Sequence, residues 1–171
     1  MKLEQILGDK QQYKLFVDLD GVLASFDNGV KKLMPEFIDG DPSQKGKMWK
    51  KIKEYQKQGG EFWFDLELTN DAVVLWDFVD QFEGTEILTA YGDPSFGAAD
   101  QKIRWVKKYL GDDVKVNLVR TSKEKANYAN SNTILIDDRS KSIDPFVAAG
   151  GKGILHTSAA DTIKKLQELL K

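Results

Sequence analysis

Five short apolar runs alternate along this chain with segments of helical period, and no other feature of the sequence restricts the fold so strongly. The runs are KLFVDLD at Lys14–Asp20, TEILTA at Thr85–Ala90, VKVNLV at Val114–Val119, TILIDD at Thr133–Asp138 and GKGILH at Gly151–His156. Compact apolar runs of this length suit strands covered on both faces, because a half-exposed strand would alternate with polar residues. Strand and helix in turn predict an α/β fold: a doubly wound, parallel, five-stranded sheet with right-handed crossovers. The chain of 171 residues is expected to form a single domain, 1–171. A domain of that size buries roughly 70% of its unfolded surface and needs no disulfide or metal staple.

Helical stripes fill the gaps. Asn70–Phe82 places Ala72, Leu75, Trp76, Val79 and Phe82 on one face, with Asn70 or Thr69 as N-cap. Ala98–Leu110 offers Ile103, Val106 and Leu110 and stops at Gly111. Ser122–Ala129 opens with Ser122 as its cap, and Asp144-Pro145 is read as the start of a further helix capped by Asp144. Ser158–Leu170 turns Ile163, Leu166, Leu169 and Leu170 inward behind Ser158 or Thr157. Leu3, Ile6 and Leu7 suggest a short amphipathic arm.

One stretch breaks the alternation. Between the first strand and the Asn70 helix no segment reads as a strand. Two helices are expected there, Asn28–Leu33 and Lys47–Gln58, divided by the turn-rich DGDPS of Asp39–Ser43. This predicts a small helical cap, 24–66, inserted after the first strand and lying over the carboxyl edge of the sheet.

Composition excludes whole classes of chemistry. Without cysteine there are no thiolate nucleophiles, zinc ribbons or Cys-ligated clusters, and a single histidine, His156, rules out paired-His metal sites. A structural or surface role is expected of His156. A net charge of −2 argues against a nucleic-acid coat or a stable nucleic-acid complex. The opening MKLEQILGDK has no long apolar core, no run approaches the length of a membrane helix, and a cytoplasmic setting is expected.

In an open parallel sheet, ligands bind beyond the carboxyl ends of the strands. The first strand ends in Asp18-Leu19-Asp20-Gly21, the second in Thr89-Ala90 and the fourth in Asp137-Asp138. Lys123 and Lys125 lie just ahead of that fourth strand. Carboxylates converging on one edge repel, and a hard divalent cation removes that cost. An all-oxygen donor set with no thiolate and one imidazole selects Mg²⁺, which suits phosphoryl oxygens. Asp18 and Asp20 would point the same way on a regular strand. Gly21 lets the chain leave sharply, so that one carboxylate is free to bind metal and attack while the other handles protons.

With these residues in view, the chain resembles the haloacid dehalogenase (HAD) superfamily of phosphotransferases. Asp18-Leu19-Asp20-Gly21-Val22 is similar to that family's first motif, Thr89 to its second, the lysine to its third and Ile136-Asp137-Asp138 to its fourth. Within the superfamily the segments Glu61–Glu67, Lys102–Gly111 and Ile134–Arg139 resemble the 5′(3′)-deoxyribonucleotidase branch. Ala90 departs from that branch, which carries a second small hydroxyl residue there; backbone N–H groups would take over the phosphate contact. Lys125 is favoured over Lys123 as the third-motif residue because it needs the smaller insertion.

The resemblance implies Asp18 as nucleophile, Asp20 as acid and base, and Mg²⁺ held by Asp18, the Asp20 backbone carbonyl and Asp138, with Asp137 behind them. It implies phosphoryl contacts from Thr89, Ala90 and Lys125. For the substrate, the aromatic residues Phe26, Trp49, Tyr55, Phe62, Trp63 and Phe64 lie mostly where a small cap must find its core. Phe26 and Trp63 are the candidates for contact with a base. Ser43–Gly60 carries six lysines against one glutamate, either a solvated face or an attraction for anions. A small phosphorylated substrate is expected, a nucleoside monophosphate first. A phosphatase or mutase for another small phosphomonoester, or a catalytically weak nucleotide-binding module, are the alternatives.

Overall fold

The structure is a computed structural model, and it describes residues 12–171. The Leu3, Ile6 and Leu7 arm lies outside the described residues. Strands β1 (Lys14–Val17), β2 (Glu86–Ala90), β3 (Val116–Val119), β4 (Thr133–Asp137) and β5 (Lys152–Leu155) form one sheet in the order β3-β2-β1-β4-β5. Every neighbouring pair is parallel. β1 is central, with Val17 aligned to Ile87 on one side and Ile136 on the other. The chain winds outward through β2 and β3, then returns to place β4 beside β1. The order therefore reverses between β1 and β4, the kind of crevice in which open α/β sheets bind ligands.

The sheet is apolar on both faces. Leu15, Val17, Ile87, Ile134, Ile136 and Ile154 join the larger core, while Phe16, Leu88, Val119 and Leu135 pack with Ile143 and Phe146 on the opposite side. Alternate residues of one strand thus feed two cores, as period-2 geometry demands. The helices are α1 (Phe26–Leu33), α2 (Lys45–Lys57), α3 (Ala72–Val79), α4 (Ala98–Tyr109), α5 (Ser140–Ala148) and α6 (Ala159–Leu169). α1 and α2 pack together in the stretch between β1 and α3, where no strand of the sheet lies. Among the described residues no helix is long and apolar enough to cross a membrane.

Several boundaries differ from the sequence expectation for identifiable reasons. β1 stops at Val17 and β4 at Asp137, short of Asp20 and Asp138. The charged residues at the ends are turned out of the ladder into the crevice. α3 begins at Ala72 with Asp71 at its cap, neither Asn70 nor Thr69. Thr69 Oγ1 instead donates to the Val22 carbonyl at 2.9 Å, and Asp71 accepts the Ala159 N–H at the start of α6 at 2.6 Å. Ser122–Tyr128 is a 3₁₀ run with Thr121 at its cap, and Glu124 reaches back to accept the Arg120 N–H at 2.9 Å. Asp144 does not cap a helix. α5 starts at Ser140 and runs through Asp144 and Pro145, because Asp137 Oδ1 accepts the Arg139 N–H at 2.9 Å and starts the turn. Ser158 caps α6 as expected, accepting the Asp161 N–H. Leu169 is exposed, and Thr162 takes the inward place beside Ala159 and Leu166.

Candidate active site

Beyond Val17 the chain crosses the sheet edge as Asp18-Leu19-Asp20-Gly21. The Asp18 N–H still bonds to the Ile136 carbonyl at 3.0 Å, which fixes the residue between β1 and β4. Asp18, Asp137 and Asp138 then offer carboxylate oxygens that all lie within 4.8 Å of one another. Gly21 makes room for this. Its φ is +81°, and a Cβ built there would fall 2.1 Å from Asp138 Oδ2. Glycine is required for the left-handed turn and for the close approach.

Lys125, projecting from the 3₁₀ run, supplies the counter-charge. Its Nζ lies 2.9 Å from Asp18 Oδ1 and 2.6 Å from Asp137 Oδ2, with only 2% of the side chain exposed. Burial opposes its charge, but Asp18 and Asp137 outweigh burial and hold its pKa above the usual lysine value. Lys123 is exposed and takes no part. One lysine does not neutralise three acids. Burial first, then Asp18, pushes the Asp137 carboxyl up, and burial followed by Asp18 and Asp137 raises Asp138 to about 7. Asp137 has both oxygens engaged, one by Lys125 and one by the Arg139 N–H. Asp138 Oδ1 is buried with no hydrogen-bond partner. An orphaned carboxylate oxygen beside Asp18, in an all-oxygen pocket, fits a hard divalent cation. Asp18 and Asp138 would hold it, with Asp137 behind them.

The Asp20 side chain has a partner of its own. Its Oδ2 accepts from Lys102 Nζ at 2.7 Å, so its carboxylate is not one of the clustered acids. The sequence reading passed over Lys102, which projects from α4. The same ammonium donates to Thr89 Oγ1 at 3.0 Å and to the Ala90 carbonyl at 2.8 Å. α4 turns Ala98, Gln101, Lys102, Trp105 and Val106 inward, a stripe rotated from the expected Ile103, Val106 and Leu110. The signal was present: Ala98, Trp105 and Val106 at helical spacing carry positions 101 and 102 with them.

A cleft of about 540 Å³ opens over these groups, between the sheet edge and the α1–α2 stretch. Asp18, Asp20, Thr89, Ala90, Lys102, Lys125 and Asp137 form its floor, and Phe26, Phe37, Met48, Trp49 and Trp63 form an apolar wall. Phe26 and Trp63 are buried in that wall. Half-buried Trp49 lies between them, its ring 6.5 Å from that of Trp63. Of the six lysines of Ser43–Gly60, Lys45 alone lines the cleft among the described residues; Lys47 pairs with Glu36, and Lys50, Lys53 and Lys57 are exposed. The basic stretch is chiefly a solvated face. Arg139 and Lys141 also reach the cleft rim. His156 is structural: its Nδ1 lies 2.8 Å from Thr162 Oγ1, and burial holds its pKa below the usual histidine value.

The sequence matches no family model and no curated protein. Solved structures do resemble the fold. A haloacid dehalogenase-like family hydrolase of Streptococcus pneumoniae is 12% identical with a TM-score of 0.57, over 90% of each chain. A haloacid dehalogenase-like hydrolase of Xanthomonas campestris is 14% identical at 0.58, over 90% of this chain and 85% of its own. The HAD-hydrolase YfnB of Bacillus subtilis, solved with magnesium, is 12% identical at 0.55, over 95% of this chain and 100% of its own. The five-stranded parallel sheet is the HAD-like fold.

Proposed function

We propose that this protein is a Mg²⁺-dependent phosphomonoesterase that works through an aspartyl-phosphate on Asp18. The observation that carries the reading is the cluster of Asp18, Asp137 and Asp138, the first two buried and paired with Lys125 and the third left with an orphaned oxygen. Bound Mg²⁺ supplies positive charge to the phosphoryl oxygens and relieves the repulsion among the acids.

The remaining work falls to the chain's own residues. Lys125 holds Asp18 in place as its carboxylate oxygen attacks phosphorus in line. The P–O bond to the leaving alcohol breaks, and Asp20 gives that oxygen a proton. Water then attacks phosphorus, its proton passes to Asp20, and the bond to Asp18 breaks to release phosphate and regenerate the carboxylate. Thr89, the Ala90 backbone and Lys125 offer contacts to the transferring oxygens. The residues 24–66, read as the cap, supply the wall against which the rest of the substrate rests. A nucleoside monophosphate is the favoured substrate, because Trp49, Phe26 and Trp63 give a base an aromatic surface across the cleft from the acids.

Phosphate release across nucleoside monophosphates and sugar phosphates, with and without Mg²⁺, tests the reading. Nucleotide-selective, Mg²⁺-dependent release that disappears in Asp18→Asn is expected, and beryllium fluoride should be trapped on wild-type Asp18. More than a trace of activity in Asp18→Asn would falsify the assignment of the nucleophile. Equal turnover of sugar phosphates would remove the nucleotide.

A further inference from the structure

We propose that Lys102 is the positioning residue of Asp20: it grips one carboxylate oxygen so that the other is aimed at the scissile bond. The proposal rests on the phosphomonoesterase reading above and deepens it. An ammonium has three N–H donors, and the Lys102 donors meet three acceptors: Asp20 Oδ2 at 2.7 Å, Thr89 Oγ1 at 3.0 Å and the Ala90 carbonyl at 2.8 Å. With every donor taken and only 3% of the side chain exposed, the ammonium is fixed in one orientation.

Asp20 needs such a hold. It lies past the end of β1, beside a glycine of left-handed conformation, and its side chain is 26% exposed. No strand or helix fixes its rotamer. The bond from Lys102 takes Oδ2 and leaves Oδ1 for the leaving oxygen. Thr89 is oriented by the same contact. Because its Oγ1 accepts from Lys102, its own hydroxyl proton is directed elsewhere, toward the cleft that Thr89 lines. The two buried lysines divide the two working carboxylates between them. Lys125 attends the nucleophile Asp18, and Lys102 attends the proton carrier Asp20. That division leaves Asp20 outside the acidic trio, although only Leu19 separates it from Asp18.

A purely structural ion pair and a phosphate-binding cation predict different kinetics from this. Protonation matters to a poor leaving group and not to a good one. Lys102→Met is therefore assayed on a nucleoside monophosphate, whose alkoxide must be protonated, and on p-nitrophenyl phosphate, whose phenolate leaves unaided. The expected result is a kcat loss on the nucleotide of about 10²-fold or more, against less than about tenfold on the aryl ester, with KM little changed. Equal kcat losses on both esters overturn the proposal in favour of structural support. A shared rise in KM with kcat intact overturns it in favour of phosphate binding. Lys102→Gln, which keeps a donor, covers the case in which Lys102→Met does not fold. Its nucleotide-to-aryl ratio of kcat should fall below the wild-type ratio, and an unchanged ratio overturns the proposal. Wild-type protein that releases no phosphate from either ester overturns the phosphomonoesterase reading and this one with it. Wild-type activity with unselective variants removes this one alone.

Discussion

At position 21 one hydrogen atom separates an assembled acidic cluster from a blocked one. Gly21→Ala would set a methyl group where Asp138 now stands, on a backbone conformation that costs L residues about 1–3 kcal/mol. The variant should lose roughly that much stability in urea unfolding, and its Mg²⁺ affinity should fall at least about tenfold by titration. Lys125→Met is the harsher change. It leaves Asp18 and Asp137 buried without their counter-charge, which typically costs about 3–5 kcal/mol. Burial and Asp18 push the Asp137 carboxyl up, so the loss should be larger at pH 8 than at pH 5.5 in metal-free protein, which paired unfolding curves would show. Asp18, Asp20, Thr89 and Asp138 could be singled out because they end or follow apolar runs, whereas Lys125 was separated from Lys123 only by the family resemblance. Lys102 was not singled out, because a lysine inside a helix reads as a solvated charge until its neighbours are seen to be buried.

Among the elements, α4 does the most for the cleft. Trp63 N–H donates to Gln101 Oε1 at 3.0 Å, Trp105 Nε1 donates to the Leu66 carbonyl at 2.8 Å, and Arg104 pairs with Glu61. Residues 61–66 are thus held by the helix that also carries Lys102. Gln101→Leu leaves the buried Trp63 N–H unpaired, a loss of about 1–3 kcal/mol. It should raise KM for the nucleotide more than it lowers kcat, which steady-state kinetics would separate. The strands followed from the apolar runs, their parallel sense from the alternation with helices, and the inward stripe of α3 from its helical period. The cap of α3 and the start of α5 did not follow from any of these. Those were decided by long-range bonds, Asp71 to Ala159 and the turn begun at Asp137, and local propensity carries no trace of them.

For the molecule as a whole, pH and metal act on the same acids. Asp138 holds its proton up to about 7 in the folded chain, far above an unfolded aspartate near 3.9. The folded state therefore binds this proton more tightly, so the contribution of Asp138 to metal-free stability is fully present below about pH 4 and is lost as pH rises to about 7. Mg²⁺ must displace that proton. Its stabilisation should be small at pH 5.5 and grow to a plateau above about pH 7, which thermal melts with and without Mg²⁺ would reveal. A melting gain independent of pH would count against Asp138 as a ligand. The sequence foretold five parallel strands but not their order. Order depends on which crossover returns beside β1, and nothing local records that choice.

The two walls of the cleft differ in how they are anchored. Residues 61–66 are tied to the helix that grips Asp20, whereas the side-chain bonds of residues 36–47 run among themselves, from Gln44 to Glu36 and Ile38, from Ser43 to Asp41 and from Lys47 to Glu36. On the proposed function, remodelling the first wall should disturb turnover along with fit. The second has no such tie to the Asp20–Lys102 pair, so a library meant to give this scaffold new substrates belongs in residues 36–47.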